Sequence, residues 1–372
     1  MTYKHGVERK EELARVFEGK RIGLITNPTG VDREFKATVD TVAEEYRLCA
    51  LYSPEHGVRG NIQAGGKVDS YVDDKTGVEV RSLYQKKAEK ELFSDVDIIA
   101  YDVQDVGARF YTYIYTLTAA MEAAARDGKR VVVLDRYNPI GLKKLEGALL
   151  NEKFTSGVGK YGLPARYAMT VGEFAQYANE VGKIGCDLEI IKCENLKRSD
   201  DFRTVGLEWV LPSPNLPSYE SALAYIGTVL LEGTNMSEGR GTTKPFEMIG
   251  APYLRADEVI KYVESLGFSG FKLRECCFTP TFSKHKGELC RGFQIHVTDP
   301  DSFEPFAVGV MMLDYIRKTH SEFKFREDVD FLSLLLGTDE FLKENFNAES
   351  FILRTKEELK SFSENAARYF LY

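Results

Sequence analysis

Short apolar runs recur through the first half of the chain, each bounded by polar residues. Four of them span residues 21–26, 47–52, 97–101 and 130–134. They are too short for helices and do not alternate between apolar and polar positions, a pattern typical of strands that a parallel sheet buries on both faces. The sequence therefore predicts four parallel strands in this half.

Helical patterns lie between and after these strands. Apolar residues recur at helical spacing from Phe110 to Met121, within a helix predicted over 110–126 that Gly128 ends. Another helix is predicted to begin at Thr170, where Thr170 and Glu173 have the spacing of a capping box, and to lead into a strand over 187–191. This alternation predicts an α/β fold with a doubly wound parallel sheet.

The pattern changes after Ala251 and Pro252. From there it predicts a helix over 256–266, strands over 271–275 and 292–297, and then mainly helices, the last opened by a capping box at Thr355–Glu358. We therefore expect two domains, a larger α/β domain over residues 1–250 and a smaller, auxiliary α+β domain over 251–372.

Composition and charge narrow the classes of partner. The chain has 49 basic and 57 acidic residues, a net charge of −8, which argues against a nucleic-acid partner. No apolar run is long enough for a spanning helix, so membrane insertion is not expected. The first residues do not resemble a signal peptide, which favours the cytoplasm unless a leader is missing from the sequence. The six cysteines form no CxxC pair and are expected to be free thiols.

Polar residues follow each of the four predicted strands. These segments are 27–30, 53–57, 102–109 and 135–139. Because ligands of open α/β sheets bind outside the carboxyl ends of the strands, we expect a preformed pocket at this edge. Asp102 and Asp135 come directly after strands, and we expect both carboxylates to face solvent.

A second polar segment, here called the glycine-rich loop, spans residues 231–247. It contains three acids, two bases and three glycines, and it suits a polar, partly anionic ligand. A helix over 221–230 is predicted before it, preceded by a rigid proline-rich segment, residues 211–217, and a strand around Trp209. The excess of carboxylates in loops fits acid/base chemistry on a sugar bond better than redox or phosphoryl chemistry.

Common cofactor and nucleophile motifs are missing from the sequence. The first strand is not followed by GxGxxG, the spacing around Gly239–Lys244 is not that of a P-loop, and neither GxSxG nor HExxH occurs. We therefore expect an enzyme that needs no cofactor and no metal.

Several long motifs make the chain recognisable. Residues 53–60, 102–113, 212–217 and 232–247, with 284–290 and 296–299 later in the chain, resemble the NamZ-type exo-β-N-acetylmuramidase family, formerly a domain of unknown function. The resemblance implies a Rossmann-like catalytic domain, an auxiliary domain, and release of N-acetylmuramic acid from the non-reducing ends of bacterial peptidoglycan strands that lack stem peptides, as in cell wall recycling. It also implies that Glu55 is central to catalysis. Tyr137 departs from the family, which commonly has proline there.

Site assignments follow from these motifs. We expect Glu55 to act as general acid or acid/base, with Glu238 or Glu232 as the second carboxylate and Asp102 in reserve. Arg240 is the first candidate to bind the lactyl carboxylate of muramic acid, since the arginine fork matches a carboxylate. Arg109, Arg136 and Lys244 follow it. The other predicted substrate-binding residues are polar or aromatic neighbours in the same segments: His56, Asp102, Gln104, Tyr111, Asp135, Asn138, Asn215 and Asn235.

Two other functions fit the same residues. One is a non-catalytic sugar- or muropeptide-binding protein that uses the same cleft with Tyr111 and Tyr113. The other is a hydrolase of a different cell-wall or amide substrate, although neither a nucleophile nor its base is evident. Neither the stereochemical outcome of the reaction nor the oligomeric state can be read from the sequence.

Overall fold

A computed structural model describes residues 2–54, 57–60, 70–83, 91–327 and 330–372. Its larger sheet has seven strands: β1 (Arg21–Thr26), β2 (Arg47–Ser53), β3 (Tyr71–Val72), β4 (Glu79–Ser82), β5 (Ile98–Asp102), β6 (Arg130–Leu134) and β7 (Asp187–Ile191). They lie in the order β3-β4-β2-β1-β5-β6-β7. The edge strand β3 is antiparallel to β4, and the other pairs are parallel.

The six parallel strands have a familiar order. Numbered among themselves, they run 3-2-1-4-5-6, the order of doubly wound Rossmann sheets. The order reverses between β1 and β5, which pair from Ile22 and Ile98 to Thr26 and Asp102. The predicted parallel α/β fold is confirmed. The short strands β3 and β4 were not predicted, because two to four residues carry no readable periodicity.

Both faces of the larger sheet are buried, as its apolar runs predict. Ile99 packs in a core with helix α3 (Tyr113–Arg126), while its neighbour Ala100 packs in the core on the opposite face. Helices α1 (Lys10–Phe17), α2 (Thr38–Glu45), α4 (Val171–Val181) and the short α5 (Phe202–Val205) complete this part of the chain. The capping box of α4 is confirmed, because the Thr170 hydroxyl accepts the Glu173 amide and the Glu173 carboxylate accepts the Thr170 amide.

A smaller antiparallel sheet follows. It consists of β8 (Met248–Ala251), β9 (Phe271–Phe278) and β10 (Cys290–Val297) in the order β8-β10-β9. Around it lie α6 (Tyr219–Thr228), α7 (Ala256–Ser265), α8 (Pro305–Thr319), α9 (Phe331–Leu336) and α10 (Ala348–Ala366). The predicted domain boundary after residue 250 falls inside β8. The division into domains 1–250 and 251–372 stays a prediction.

Two local predictions are wrong. Residues around Trp209 form no strand, and the Trp209 indole instead donates to the Leu216 carbonyl at 3.0 Å. The last helix begins after Asn347, whose side chain accepts the Ser350 amide, and not at Thr355. The Thr355 hydroxyl lies inside the helix and donates back to the Ile352 carbonyl, as threonine does in helix interiors. Among the described residues, no helix has both the length and the apolar character needed to cross a membrane.

Candidate active site

A buried ion pair lies at the sheet edge where the strand order reverses. Arg136 Nε and Nη2 donate to the two carboxylate oxygens of Asp102 at 2.5 and 2.9 Å, and the two side chains are 2% and 0% exposed. The Thr38 hydroxyl also donates to Asp102, and Arg136 donates to the Val31 carbonyl. Asp102 therefore does not face solvent, and the pair joins loops at the place where Rossmann enzymes bind their ligands.

Asp135 is also buried, contrary to prediction. Its Oδ1 accepts the Gly172 amide at 2.7 Å, and its Oδ2 accepts the hydroxyls of Thr170 and Tyr372 at 2.8 and 2.7 Å. Burial raises its pKa to about 6. The carboxylate thus fixes the start of α4 and the chain terminus. Asn138, buried nearby, donates to the Met169 carbonyl, so it too serves the fold.

Arg109 joins segments that are distant in sequence. Its guanidinium is fully buried and donates to the carbonyls of Ala148, Leu163 and Leu335 at 2.8, 2.7 and 2.5 Å. Burial lowers its pKa to about 10. A cation enclosed in this way is engaged in the fold, so its burial argues against the predicted role of Arg109 in binding substrate.

Asp105 was not singled out from the sequence. It is buried on the loop after β5, accepts the Gly107 amide at 2.6 Å and accepts the Tyr167 hydroxyl. Its Oδ1 accepts no hydrogen bond from a described residue, and burial raises its pKa to about 7. Gln104, next to it, lines a small pocket of about 40 Å³ at the same sheet edge. Only burial distinguishes Asp105 from other loop acids, and the sequence does not show burial.

The glycine-rich loop brings three predicted residues together. Arg240 Nη2 lies 2.7 Å from Glu232 Oε1, and Arg240 Nε lies 3.4 Å from Glu238 Oε1. A fourth charge comes from Lys284, whose Nζ lies 2.8 Å from Glu238 Oε2. We call these four residues the charged cluster. In the sequence, Lys284 belongs to one of the motifs that carry the family resemblance, and nothing in the local sequence indicates that it reaches Glu238.

The two glutamates of the charged cluster differ in access. The Glu232 side chain is 20% exposed and that of Glu238 is 2% exposed. Burial, and to a smaller extent the Glu238 charge, raises the pKa of Glu232 against the opposing effect of Arg240. Glu232 is therefore a reachable carboxylate with increased proton affinity, whereas Glu238 is enclosed between two cations.

Two other predicted residues near the loop are engaged in the fold. Lys244 pairs with Glu247 at 3.2 Å. The Asn235 side chain donates to the Glu322 carbonyl and accepts the Tyr253 hydroxyl at 2.6 Å. Neither group points to a ligand. Asn215, in contrast, lines an open pocket of about 560 Å³ beside the loop.

Aromatic rings connect the sheet edge to the charged cluster. The Tyr111 ring lies edge-to-face with Tyr225, whose ring contacts Phe246 at a centroid distance of 4.7 Å. Arg240 lies over Phe246, 5.1 Å from its centroid. The segment after β5 and the glycine-rich loop therefore belong to one continuous region of the molecule, as expected for a shared site.

Glu55 and His56 lie outside the described residues. β2 ends at Ser53, two positions before Glu55. Among the residues that the structure does describe, no group of three or more histidine, cysteine, aspartate or glutamate side chains could hold a metal ion.

Family comparisons cover nearly the whole chain. The model of the N-terminal part of the exo-β-N-acetylmuramidase NamZ matches residues 22–220, and that of its C-terminal part matches residues 223–372. The chain belongs to the NamZ exo-β-N-acetylmuramidase family. The peptidoglycan β-N-acetylmuramidase NamZ of Bacillus subtilis (strain 168) is 46% identical to it, over 97% of this chain and 89% of that protein.

Two solved structures of this family share the fold. Both are DUF1343 family proteins from Bacteroides fragilis NCTC 9343, and each alignment covers 100% of this chain and 99% of the other. One is 34% identical with a TM-score of 0.89, and the other is 29% identical with a TM-score of 0.78. The two-sheet architecture is thus that of the family.

Proposed function

We propose that this protein is a glycoside hydrolase of the exo-β-N-acetylmuramidase type. It releases N-acetylmuramic acid from the non-reducing ends of peptidoglycan glycan fragments. The observation that carries the proposal is the 46% identity over 97% of the chain to a peptidoglycan β-N-acetylmuramidase. The substrate is a glycan derived from peptidoglycan, and its breakdown to a free monosaccharide suits a role in cell wall recycling.

The charged cluster supplies what glycosidases require of their second carboxylate. Such enzymes protonate the leaving oxygen with one carboxylic acid and use another carboxylate to activate water or to attack the anomeric carbon. Glu232 suits the second role better than Glu238, because it is reachable and its raised pKa makes it a stronger base. Glu55 is the proposed acid, on the strength of the family motif and its place just after β2.

The muramic lactyl group needs a cation. Of the four basic residues predicted for this role, Arg109 and Arg136 are buried and Lys244 pairs with Glu247. Arg240, whose side chain is 29% exposed, remains. We propose that it binds the lactyl carboxylate while also holding Glu232.

Turnover of matched substrates tests the activity. The purified protein should cleave a chromogenic β-glycoside of N-acetylmuramic acid and leave the N-acetylglucosamine analogue nearly untouched. Glu55→Gln keeps the shape but removes the proton, so it should lower turnover by about a hundredfold or more with folding retained. Saturable binding without turnover would favour the sugar-binding protein instead. Equal cleavage of both substrates would contradict the muramic specificity.

A further inference from the structure

An open pocket adjoins the charged cluster on the side of the β9–β10 turn, residues 279–289. It has a volume of about 560 Å³. We call it the neutral pocket; its lining consists of Pro214, Asn215, Pro217, Thr242, Thr243, Pro245 and Phe282. Thr242 is two positions from Arg240, and Phe282 is two positions from Lys284. The pocket therefore lies beside the proposed reaction centre, in the size range of small-molecule sites.

The neutral pocket offers polar groups that the fold leaves unused. Asn215 lines the pocket, and its carboxamide forms no hydrogen bond with any described residue. Solvent reaches this amide, so a ligand can take the place of water there. Thr243 adds an exposed hydroxyl that bonds to none of the described side chains or backbone groups. Together they can bind the amide and hydroxyl groups of a sugar.

Phe282 supplies an apolar surface in the same pocket. Its side chain is 51% exposed, although phenylalanine is normally buried. The backbone fixes its place, because Thr281 donates to the Gly241 carbonyl at 2.9 Å and Ser283 has a φ of +67°. A Cβ at Gly241 would lie 2.5 Å from the Phe282 carbonyl oxygen, so only glycine permits this approach.

The absence of charge decides which sugar fits. N-acetylmuramic acid carries a carboxylate, but the described residues that line the pocket carry no cation. N-acetylglucosamine is neutral and has an apolar ring face to pack on an aromatic side chain. We propose that the neutral pocket binds the N-acetylglucosamine unit that leaves when the terminal muramic acid is released. This inference rests on the proposed function, since it assigns the leaving-group side of the same site.

A binding experiment tests the pocket without turnover. Trp209 is the single tryptophan of the chain, and its indole donates to the Leu216 carbonyl, next to Asn215. Methyl N-acetyl-β-glucosaminide should change its fluorescence saturably. Phe282→Ala and Asn215→Ala should each weaken this binding about tenfold, and Phe282→Tyr should largely restore it. Leu289→Ala, at another exposed apolar position of the same turn, is the matched control and should bind like the native protein.

Kinetics then place the pocket on the leaving-group side. Phe282→Ala should lower kcat/KM for the disaccharide of muramic acid and glucosamine about tenfold more than for an N-acetylmuramic acid β-fluoride, whose leaving group cannot fill the pocket. Equal losses on both substrates, or no saturable binding of the glucosaminide, would overturn the inference. Native protein that binds the glucosaminide through Phe282 but cleaves neither substrate would instead reject the proposed function and retain the sugar site.

Discussion

Lys284 Nζ lies 2.8 Å from Glu238 Oε2, which links the β9–β10 turn to the glycine-rich loop. The same ammonium donates to the carbonyls of Leu231 and Met236 at 2.7 and 2.6 Å. The conformation of the loop that carries both candidate glutamates therefore depends on a side chain that lies 46 positions after Glu238 in the sequence.

Replacing Lys284 by methionine should alter the pH dependence of the reaction. The Lys284 charge opposes the rise in the pKa of Glu232, so its removal should raise that pKa further. A base must be deprotonated to act, and the acidic limb of kcat/KM should therefore move to higher pH. Profiles of kcat/KM against pH for Lys284→Met and Lys284→Arg measure this shift. The arginine variant keeps the positive charge, so its acidic limb should lie at the native pH.

Lys286→Met is the matched control for Lys284, because Lys286 is exposed in the same turn. Its profile should be native. A Lys284→Met enzyme with reduced rate but an unmoved acidic limb would show that Lys284 only holds the loop and that Glu232 is not the titrating base.

Asp105 should make the protein less stable as the pH rises. Its pKa is about 7 in the folded protein against 3.8 for the unfolded chain. The folded state therefore holds this proton more tightly, and the associated stability is complete below about pH 4 and lost as the pH rises through 7. At about 1.4 kcal/mol per pH unit, the loss amounts to roughly 4 kcal/mol.

Urea unfolding of Asp105→Asn between pH 4 and 8 checks this prediction. Asparagine resembles the protonated acid and still accepts from Gly107 and Tyr167. The variant should lose most of the decline in the free energy of unfolding seen with native protein. A decline of the same size in both would mean that other groups cause it, Asp135 with its pKa of about 6 being the first to examine.

Arg109→Met should lower the thermal stability of the protein and leave its affinity for substrate unchanged. It removes the donors of three buried carbonyl groups, and each unsatisfied group costs about 1 to 3 kcal/mol, offset in part because a buried charge disappears as well. Thermal unfolding should show a clear fall in Tm. KM measured well below that temperature should equal the native value, whereas an increased KM for muramic substrates alone would restore Arg109 as a ligand for the lactyl group.

The large sheet was predictable because strands that are buried on both faces have continuous apolar runs in the sequence. Ile99 and Ala100 face opposite cores, so the successive positions 98–101 of that strand are all hydrophobic. Thr355 shows the limit of local patterns. Its capping-box spacing is present in the sequence, but helix α10 has already begun after Asn347, whose side chain accepts the Ser350 amide.

The site was predictable only in part, for a related reason. Glu232, Glu238 and Arg240 lie close in sequence, and the loop places them together. Asp102 and Asp135 resemble catalytic strand-end acids, but their partners Arg136 and Tyr372 come from distant positions and bury them. A sequence shows which acids follow strands and does not show which of them the rest of the chain covers.

Mutation of the two glutamates of the charged cluster should have different effects, one on turnover and the other on stability. Glu232→Gln should reduce kcat by about a hundredfold or more with little change in stability, because Glu232 is the reachable carboxylate and glutamine keeps one acceptor for Arg240. Glu238→Gln should instead lower the free energy of unfolding, by roughly 3 kcal/mol, since it leaves Arg240 and Lys284 near each other without the charge between them. Measuring kcat and urea unfolding on both variants decides the assignment. Should Glu238→Gln unfold normally yet abolish turnover, Glu238 would be the second carboxylate.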